Sequence, residues 1–598
     1  MISFPLLILI LNVILIILLI EIVVLVKKKM IVIDGSLGEG GGQILRLSLG
    51  LSVMYMKHSS SSSSSSLRMV NIRSGRKTPG LRAQHVACIR LVGMMLGGGQ
   101  TSNIQVGTTS FTLHYPPPPQ PPNTNTLNNQ ALNSKVLLTS NVNLNNNLNV
   151  KDDVEVFELR TGTAASLTLL IQSALPVMLH RALQSTNTTI NTTTNTKINT
   201  KIVLYGGTEV NFSPPFDHLK HVLLPLLRYH LLPKEIDVQL TCTKRGFFPK
   251  GNGRITLSVT RKEEVNSKKV NSTKAYIKKV NSNANNVDVN NAKVDETSST
   301  SQVGTDRLPD SGNTQAELML RPMCLMDPGM DEIVSVCVYV RTFGIDPLTT
   351  STFSQTIPTT LERQLYPKLH PHTATLTKET RETNATKATS SSVSNSEKND
   401  KNSSSTSGLC GVVPEVVFTA DGYNSSSSPS SSSSRCIAVQ VVIATRTGAI
   451  FSGNAIQQLR KQKQHKNHKQ NHKQNQKNAS KNSASKNSAS KEDVEKVFEG
   501  TLDCAIKDVL VVVESGACVD EHTADQLLVY MAMCTKQTGR KCLLHSCFPK
   551  LSKHSMTAQT VIEQLLKTIH FQSREGGARE GGAASHANLI LECSKINN

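Results

Sequence analysis

The chain has 598 residues, with 65 Lys and Arg against 44 Asp and Glu, 12 Cys and no Trp. Charged residues make up only 18%, and long stretches are almost pure Ser, Asn, Thr and Lys, which cannot bury enough apolar surface to offset the entropy of ordering. Setting these aside leaves roughly 370 residues of patterned sequence, and it excludes a fibrous protein, a collagen, a coiled coil and a polytopic membrane protein. The net charge of +21 is discounted in the same way, because ten Lys or Arg and no acid lie between Arg460 and Lys491. That tract reads either as a solvated, disordered insertion or as an accessory nucleic-acid arm.

Residues 1–29 are apolar except for Asn12, Glu21 and a closing run of three lysines. Two readings stand open: a membrane anchor that keeps the downstream chain cytosolic, or a translated leader ahead of a true start at Met30. From Met30 the periodicity predicts a strand over Ile31–Ile33, helices over Gln43–Met54 and Leu81–Met95, and a strand over Met69–Ile72. A third helix is predicted over Ala164–Leu183, broken or bent at Pro176, and a fourth over Phe216–His230. Strands are predicted at Ile202–Tyr205, Ile236–Thr241 and Arg254–Val259. A separate set follows, with strands at Ile333–Val340 and Ala438–Ala444 and a helix over Asp493–Val509. The chain closes on helices at Thr523–Met533 and after His554, with strands near Leu543 and Leu589–Glu592. Disordered low-complexity insertions are expected near 59–66, 116–150, 186–200, 261–312, 374–408, 424–434 and 460–491. The recurrence of strands and helices gives an α+β class with helices packed on sheets.

Three local patterns carry chemistry. Gly38-Glu39-Gly40-Gly41-Gly42-Gln43, between a strand and a helix, suits close approach of backbone to phosphate; the alternative is a tight turn. Glu39 fits an anion site only if a metal ion bridges it to the phosphates. Ile72-Arg73-Ser74-Gly75-Arg76-Lys77-Thr78-Pro79-Gly80-Leu81-Arg82-Ala83-Gln84-His85, ending at a helix start, suits recognition of a phosphate ester, against a plain basic surface loop. Arg245-Gly246-Phe247-Phe248-Pro249-Lys250-Gly251-Asn252-Gly253 reads as a structural turn between strands. The cysteines include no C-x-x-C pair; Cys542, His545 and Cys547 come nearest to a metal cluster and read as free thiols of a reduced, intracellular protein.

Taken together, IDGSLGEGGGQILR, IRSGRKTPGLRAQH, RTGTAASLTLLIQSALP, GGTEVNFSPPFD, RGFFPKGNG, DEHTADQLLVYMAM and HSMTAQTVIEQLL resemble, in order and spacing, the RNA 3′-terminal phosphate cyclases. Asn252 stands where that family usually has a third consecutive Gly, and Asn can hold the same backbone shape. The resemblance implies a large domain of three repeated βαβαββ units, spanning 30–316 and 516–598, with a smaller thioredoxin-like α/β domain inserted at 317–515. It implies ATP-dependent conversion of an RNA 3′-phosphate end to a 2′,3′-cyclic phosphodiester, with a divalent metal (Mg or Mn), in the nucleus or cytosol. It nominates His554 as the histidine that carries AMP. It places Glu39 on the metal, and Arg46, Arg73 and Arg76 on phosphates. Gln84, Gln172, His522, Thr523, Ala524, Asp525 and Gln526 would line the nucleotide site. The rivals are a non-catalytic cyclase-like protein of pre-ribosomal RNA processing, which lacks the histidine and the acidic Gly loop, and an enolpyruvyl transferase, whose motifs are not found.

Overall fold

A computed structural model describes residues 30–56, 66–96, 104–114, 154–184, 199–249, 251–262, 318–330, 332–369, 414–421, 435–459, 491–547, 551–576 and 588–596. The apolar segment 1–29 and nearly all of the low-complexity tracts, including 460–490, lie outside these residues. No helix among the described residues is long and apolar enough to cross a membrane.

The architecture is mixed α and β. Strand β1 (Met30–Asp34) buries Ile31 and Ile33 and exposes Met30 and Val32, the period-two alternation of a strand with one covered face. Helix α1 (Gly42–Met56) follows, then β2 (Ser66–Val70), α2 (Ala83–Met95) and β3 (Phe111–His114). β2 lies parallel to β1 and antiparallel to β3. This strand begins three residues earlier than its periodicity predicts. Ser66, the last residue of the serine run, is buried and its hydroxyl bonds His114 Nδ1 at 2.9 Å, which draws it into the sheet.

A second sheet holds β4 (Val154–Arg160), β5 (Asn199–Gly206), β6 (Ile236–Lys244) and β7 (Gly253–Arg261), in the order β4-β5-β7-β6. Asn199 and Thr200, read from sequence as the end of a low-complexity tract, open β5, with Thr200 buried. Between β4 and β5 runs α3 (Leu167–Leu183), capped by Ser166, whose hydroxyl accepts the Leu169 N–H at 3.4 Å. α3 is not broken at Pro176. The proline ring faces Gly50 of α1, where an added Cβ would come within 3.2 Å of Pro176 Cγ, so the missing side chain at Gly50 makes room for it. The fourth predicted helix is continuous but changes winding. α4 (Phe216–His218) passes through a π segment (Leu219–Leu223) into α5 (Leu224–His230). In the turn between β6 and β7, Asn252 sits at φ 59°, in the left-handed region that Asn tolerates.

A third sheet contains β8 (Cys324–Leu325), β13 (Cys542–Ser546), β14 (Ile569–Glu575) and β15 (Leu589–Lys595), in the order β8-β13-β15-β14. Its helices are α9 (Glu521–Thr538) and α10 (Lys553–Leu566). Its parallel and antiparallel pairings match those of the second sheet strand for strand. The fourth sheet, β10 (Glu415–Asp421), β9 (Ile333–Phe343), β11 (Arg435–Thr445) and β12 (Ile450–Leu459), lies in the chain between β8 and α9. Helices α6 (Pro347–Gln364), α7 (Tyr366–Leu369) and α8 (Lys491–Ser515) accompany it, with Phe353 of α6 stacked on Phe498 of α8 at 3.9 Å between ring centroids. α1 is the hub of the first, second and third groups, packed against both α3 and α10, and this brings three distant motifs together.

Candidate active site

The loop from Asp34 to Gly41 is held at its start by Asp34, whose carboxylate accepts the Ser36 hydroxyl at 2.7 Å and the Ser36 N–H at 2.9 Å. These bonds lower the Asp34 pKa, so the turn is anchored by an ionised carboxylate. Gly38 has φ 52°, and a Cβ there would fall 1.9 Å from Thr557 Oγ1 of α10. Only glycine lets this loop close onto α10. The consequence is that Glu39 reaches His554, with its carboxylate 3.1 Å from Nε2 and 3.6 Å from the Arg76 guanidinium.

His554 is the second residue of α10, whose first turn is capped by Ser552, accepting the Ser555 N–H at 3.0 Å. Its Nδ1 lies 3.0 Å from Gln43 Oε1, the second residue of α1. The imidazole is thus gripped on both nitrogens, at the positive ends of two helices, while half of the side chain stays open to solvent. Beside it, the Ser555 hydroxyl donates to Asp525 of α9. Burial pushes the Asp525 carboxyl up to about 6, against the opposing effects of the Ser555 bond and of His554.

That shift makes a testable stability statement. The carboxyl is raised above its ordinary 3.8, so the folded chain holds a proton over a range where the unfolded chain has lost it. The stabilisation is complete below the unfolded value and is lost as pH rises through about 6. Asp525→Asn, which keeps an acceptor for Ser555, should therefore be the more stable protein above that pH and show a flatter melting-temperature profile across the window. An unchanged profile would contradict the burial of this carboxyl.

Arg46, on α1, donates through Nε to Gln172 Oε1 of α3 at 2.9 Å. His85, to which the sequence assigns no role, is buried at the start of α2 and accepts the Arg82 N–H on Nδ1 at 3.1 Å. Its Nε2 faces Gly42, where a Cβ would approach to 2.4 Å. Burial, then the cations of Arg46, Arg73 and Arg82, depress its pKa to about 3, so His85 is neutral under any physiological condition.

The structure brings together Glu39, Arg46, Arg76, Gln172, Asp525 and His554. Arg73 is turned back on its own loop, donating to Gly80 O at 3.3 Å, and Gln84 sits half-buried on the first turn of α2. Of the five consecutive residues 522–526, His522, Asp525 and Gln526 face the cavity beside His554. Thr523 and Ala524 are fully buried instead. Thr523 secures the helix start, giving its N–H and hydroxyl to Asp520 at 2.9 and 2.7 Å.

The cavity measures about 470 Å³ and is walled on its far side by β9, β11 and β12. A buried charge network seals that junction. Asp217 receives Arg245 at 2.7 and 2.9 Å and Arg341 of β9 at 2.9 and 3.2 Å, while Glu209 receives Arg245 at 2.7 Å. Burial works against ionisation of Asp217, but Arg245 and then Arg341 hold its pKa below the ordinary value. Glu209, whose burial outweighs Arg245 and the weaker effect of Arg341 and is reinforced by the Asp217 charge, is pushed up to about 7. Phe212 lies at the edge of the cavity, fully exposed and at φ 61°. Among the described residues no group of three or more His, Cys, Asp or Glu could hold a metal ion, and the cysteines there are free thiols.

A family model described as RNA 3′-terminal phosphate cyclase matches residues 37–571. Curated proteins named RNA 3′-terminal phosphate cyclase are similar over part of the chain. The one from Staphylothermus marinus is 31% identical over 231 residues, 39% of this chain and 47% of that protein. The one from Hyperthermus butylicus is 32% identical over 236 residues, 40% of this chain and 48% of that protein. The one from Drosophila melanogaster is 31% identical over 242 residues, 40% of this chain and 50% of that protein. The chain therefore spans about half the length of the curated relatives it matches.

Proposed function

We propose that this chain, which belongs to the RNA 3′-terminal phosphate cyclase family, uses ATP to close an RNA 3′-phosphate into a 2′,3′-cyclic phosphodiester. The observation that carries the reading is His554, held between Glu39 and Gln43 at the mouth of a cavity that also receives Arg46. In the first step His554 keeps its ring proton on Nδ1 toward Gln43 Oε1 and turns the unprotonated Nε2 from Glu39 to the α-phosphorus of ATP, forming a P–N bond as the P–O bond to pyrophosphate breaks. An oxygen of the RNA 3′-phosphate then takes the adenylyl group, breaking the P–N bond. Finally the adjacent 2′-hydroxyl attacks the activated RNA phosphorus, loses its proton and expels AMP. A phosphate monoester dianion is a poor electrophile with a poor leaving group. Joining it to AMP supplies a leaving group, and the neighbouring hydroxyl is already at high effective concentration.

Arg46 and Arg76 are suited to the phosphate charge, Arg76 through a planar fork that Lys lacks. Arg73, Gln84, Gln172, His522 and Gln526 form the wider nucleotide site in this reading. A Mg or Mn ion would be held by Glu39 together with the substrate's phosphates, since no group of three or more His, Cys, Asp or Glu forms a metal cluster among the described residues. Bound there, it would offset charge on the triphosphate. Glu39→Ala should then raise the divalent-metal concentration needed for half-maximal rate by about tenfold or more. Restoration by added metal supports the metal assignment; an unrecoverable loss assigns Glu39 to orienting His554 instead.

In the same reading the large domain repeats a βαβαββ unit, supported by the matching order of the second and third sheets. The inserted segment carries the β9–β12 sheet as a thioredoxin-like domain. Because β8 pairs with β13, the insertion is best started after Leu325. Action on RNA in the nucleus or cytosol belongs to the same proposal. The test is incubation of an RNA ending in a 3′-phosphate with and without ATP. An ATP-dependent gain of phosphatase resistance at the RNA end is expected; none would overturn the reading.

A further inference from the structure

The wall that the inserted sheet presents to the cavity carries polar groups with nothing to bind. Tyr339, Gln440 and Asn454 are register partners across β9, β11 and β12, so they stand in one row on one face. All three line the cavity. Tyr339 is occupied, its hydroxyl 3.1 Å from His221 Nδ1 and its ring stacked on that imidazole. Gln440 is not. Its side chain is only 3% exposed, and neither Oε1 nor Nε2 has a partner among the described residues. Asn454 Oδ1 and Gln526 Oε1, which line the same cavity, are also unpartnered there.

A buried amide left without partners is costly, and native proteins rarely keep one. One such carboxamide, with the unpartnered amide oxygens of Asn454 and Gln526 on the same cavity, is instead a group held ready for a ligand. Their chemistry says which kind. They are uncharged, so they do not suit phosphate; of the arginines that line the cavity, Arg341 is taken up by Asp217, and Arg46 stands on α1 with Gln43, the partner of His554. A glutamine amide presents an acceptor and a donor side by side, the complement of a nucleobase edge such as the amino group and ring nitrogen of adenine. Gln526 adds a fixed acceptor, since its Nε2 already donates to His522 O at 3.1 Å. A cavity of about 470 Å³ is of the size that takes a nucleoside.

We propose that Gln440, flanked by Asn454 and Gln526, reads the hydrogen-bonding edge of a nucleobase, making the inserted domain the base-recognition wall of the site. The inference deepens the cyclase reading and rests on it for the choice of nucleotide. The base can belong to ATP or to the terminal nucleotide of the RNA, and the test separates them. Gln440→Leu keeps the shape and removes both polar atoms. Its unliganded melting temperature should equal or exceed that of the wild type, because no internal hydrogen bond is lost.

For ATP, the readout is the melting-temperature rise produced by a non-transferable ATP analogue, set beside a ribose triphosphate without a base. The variant should bind the analogue about 10- to 100-fold more weakly and the base-less compound equally well. For RNA, the readout is KM for 3′-phosphate oligonucleotides differing only in the last base; the variant should lose the preference that the wild type shows. A loss in either arm supports the proposal and names the source of the base. A lowered unliganded melting temperature, or no change in both arms, overturns it. The binding arm needs no turnover, so a wild type that cyclises nothing would sink the reaction while leaving base recognition measurable.

Discussion

His554→Ala is expected to lose cyclisation of a 3′-phosphate RNA by a factor on the order of 10⁴ or more, the scale on which enzymes lose a covalent nucleophile. The protein should still fold, because the side chain is 53% exposed and its contacts are to Glu39 and Gln43 at a cavity mouth rather than to the core. Supplied with RNA already carrying AMP on its 3′-phosphate, the variant should close the ring, though more slowly. That last step asks only that the 2′-hydroxyl displace AMP from a positioned phosphate. Loss of both reactions together would mean that His554 supports the site without being adenylylated.

Asp217→Asn is expected to cost about 3–5 kcal/mol of stability in urea unfolding of the full chain. The side chain is 3% exposed and receives both Arg245 and Arg341, so the amide would leave Arg341 buried without an anion, leave Arg245 with Glu209 alone, and turn an N–H₂ group toward them. Glu209→Gln should be far milder, about 1 kcal/mol or less, because Glu209 is pushed up to about 7 and near neutrality carries only part of its charge. The cost of losing Asp217 should also appear as weaker nucleotide binding, since Arg341 sits on the strand next to Gln440. Equal effects of the two substitutions would contradict the view that Asp217 is the ion that joins the inserted sheet to the rest.

Much of the fold is legible in the sequence because apolar spacing is local. The helices at Gly42–Met56, Ala83–Met95 and Leu167–Leu183 and the strands at Ile236–Lys244 and Gly253–Arg261 all follow their periodicity to within a few residues. β8 escapes because two residues carry no period. The site is legible differently. Physical reading of the residues raised the glycine loop and the basic loop, whereas His554 and Asp525 came from the order of the motifs alone. Only part of the run 522–526 lines the cavity, for a simple geometric reason. Successive helix residues point about 100° apart, so positions 522, 525 and 526 share a face and 523 and 524 turn inward. The Asp217–Arg341 pair joins residues 124 apart, which no local pattern encodes, although an arginine within the apolar run IVSVCVYVRTF signals a buried partner. Gln440 within RCIAVQVVIAT is the same kind of signal, a polar side chain in a strand otherwise built for burial.

The measurement that bears most directly on the account is incubation of the full chain with ATP labelled at the α-phosphorus, without RNA. The account predicts that label becomes bound to the protein through a linkage cleaved by acid and stable to base, as a phosphoramidate is, that pyrophosphate is released in equal amount, and that His554→Ala takes up none. Labelling that persists in His554→Ala, or a wild type that takes up no label at all, would contradict it.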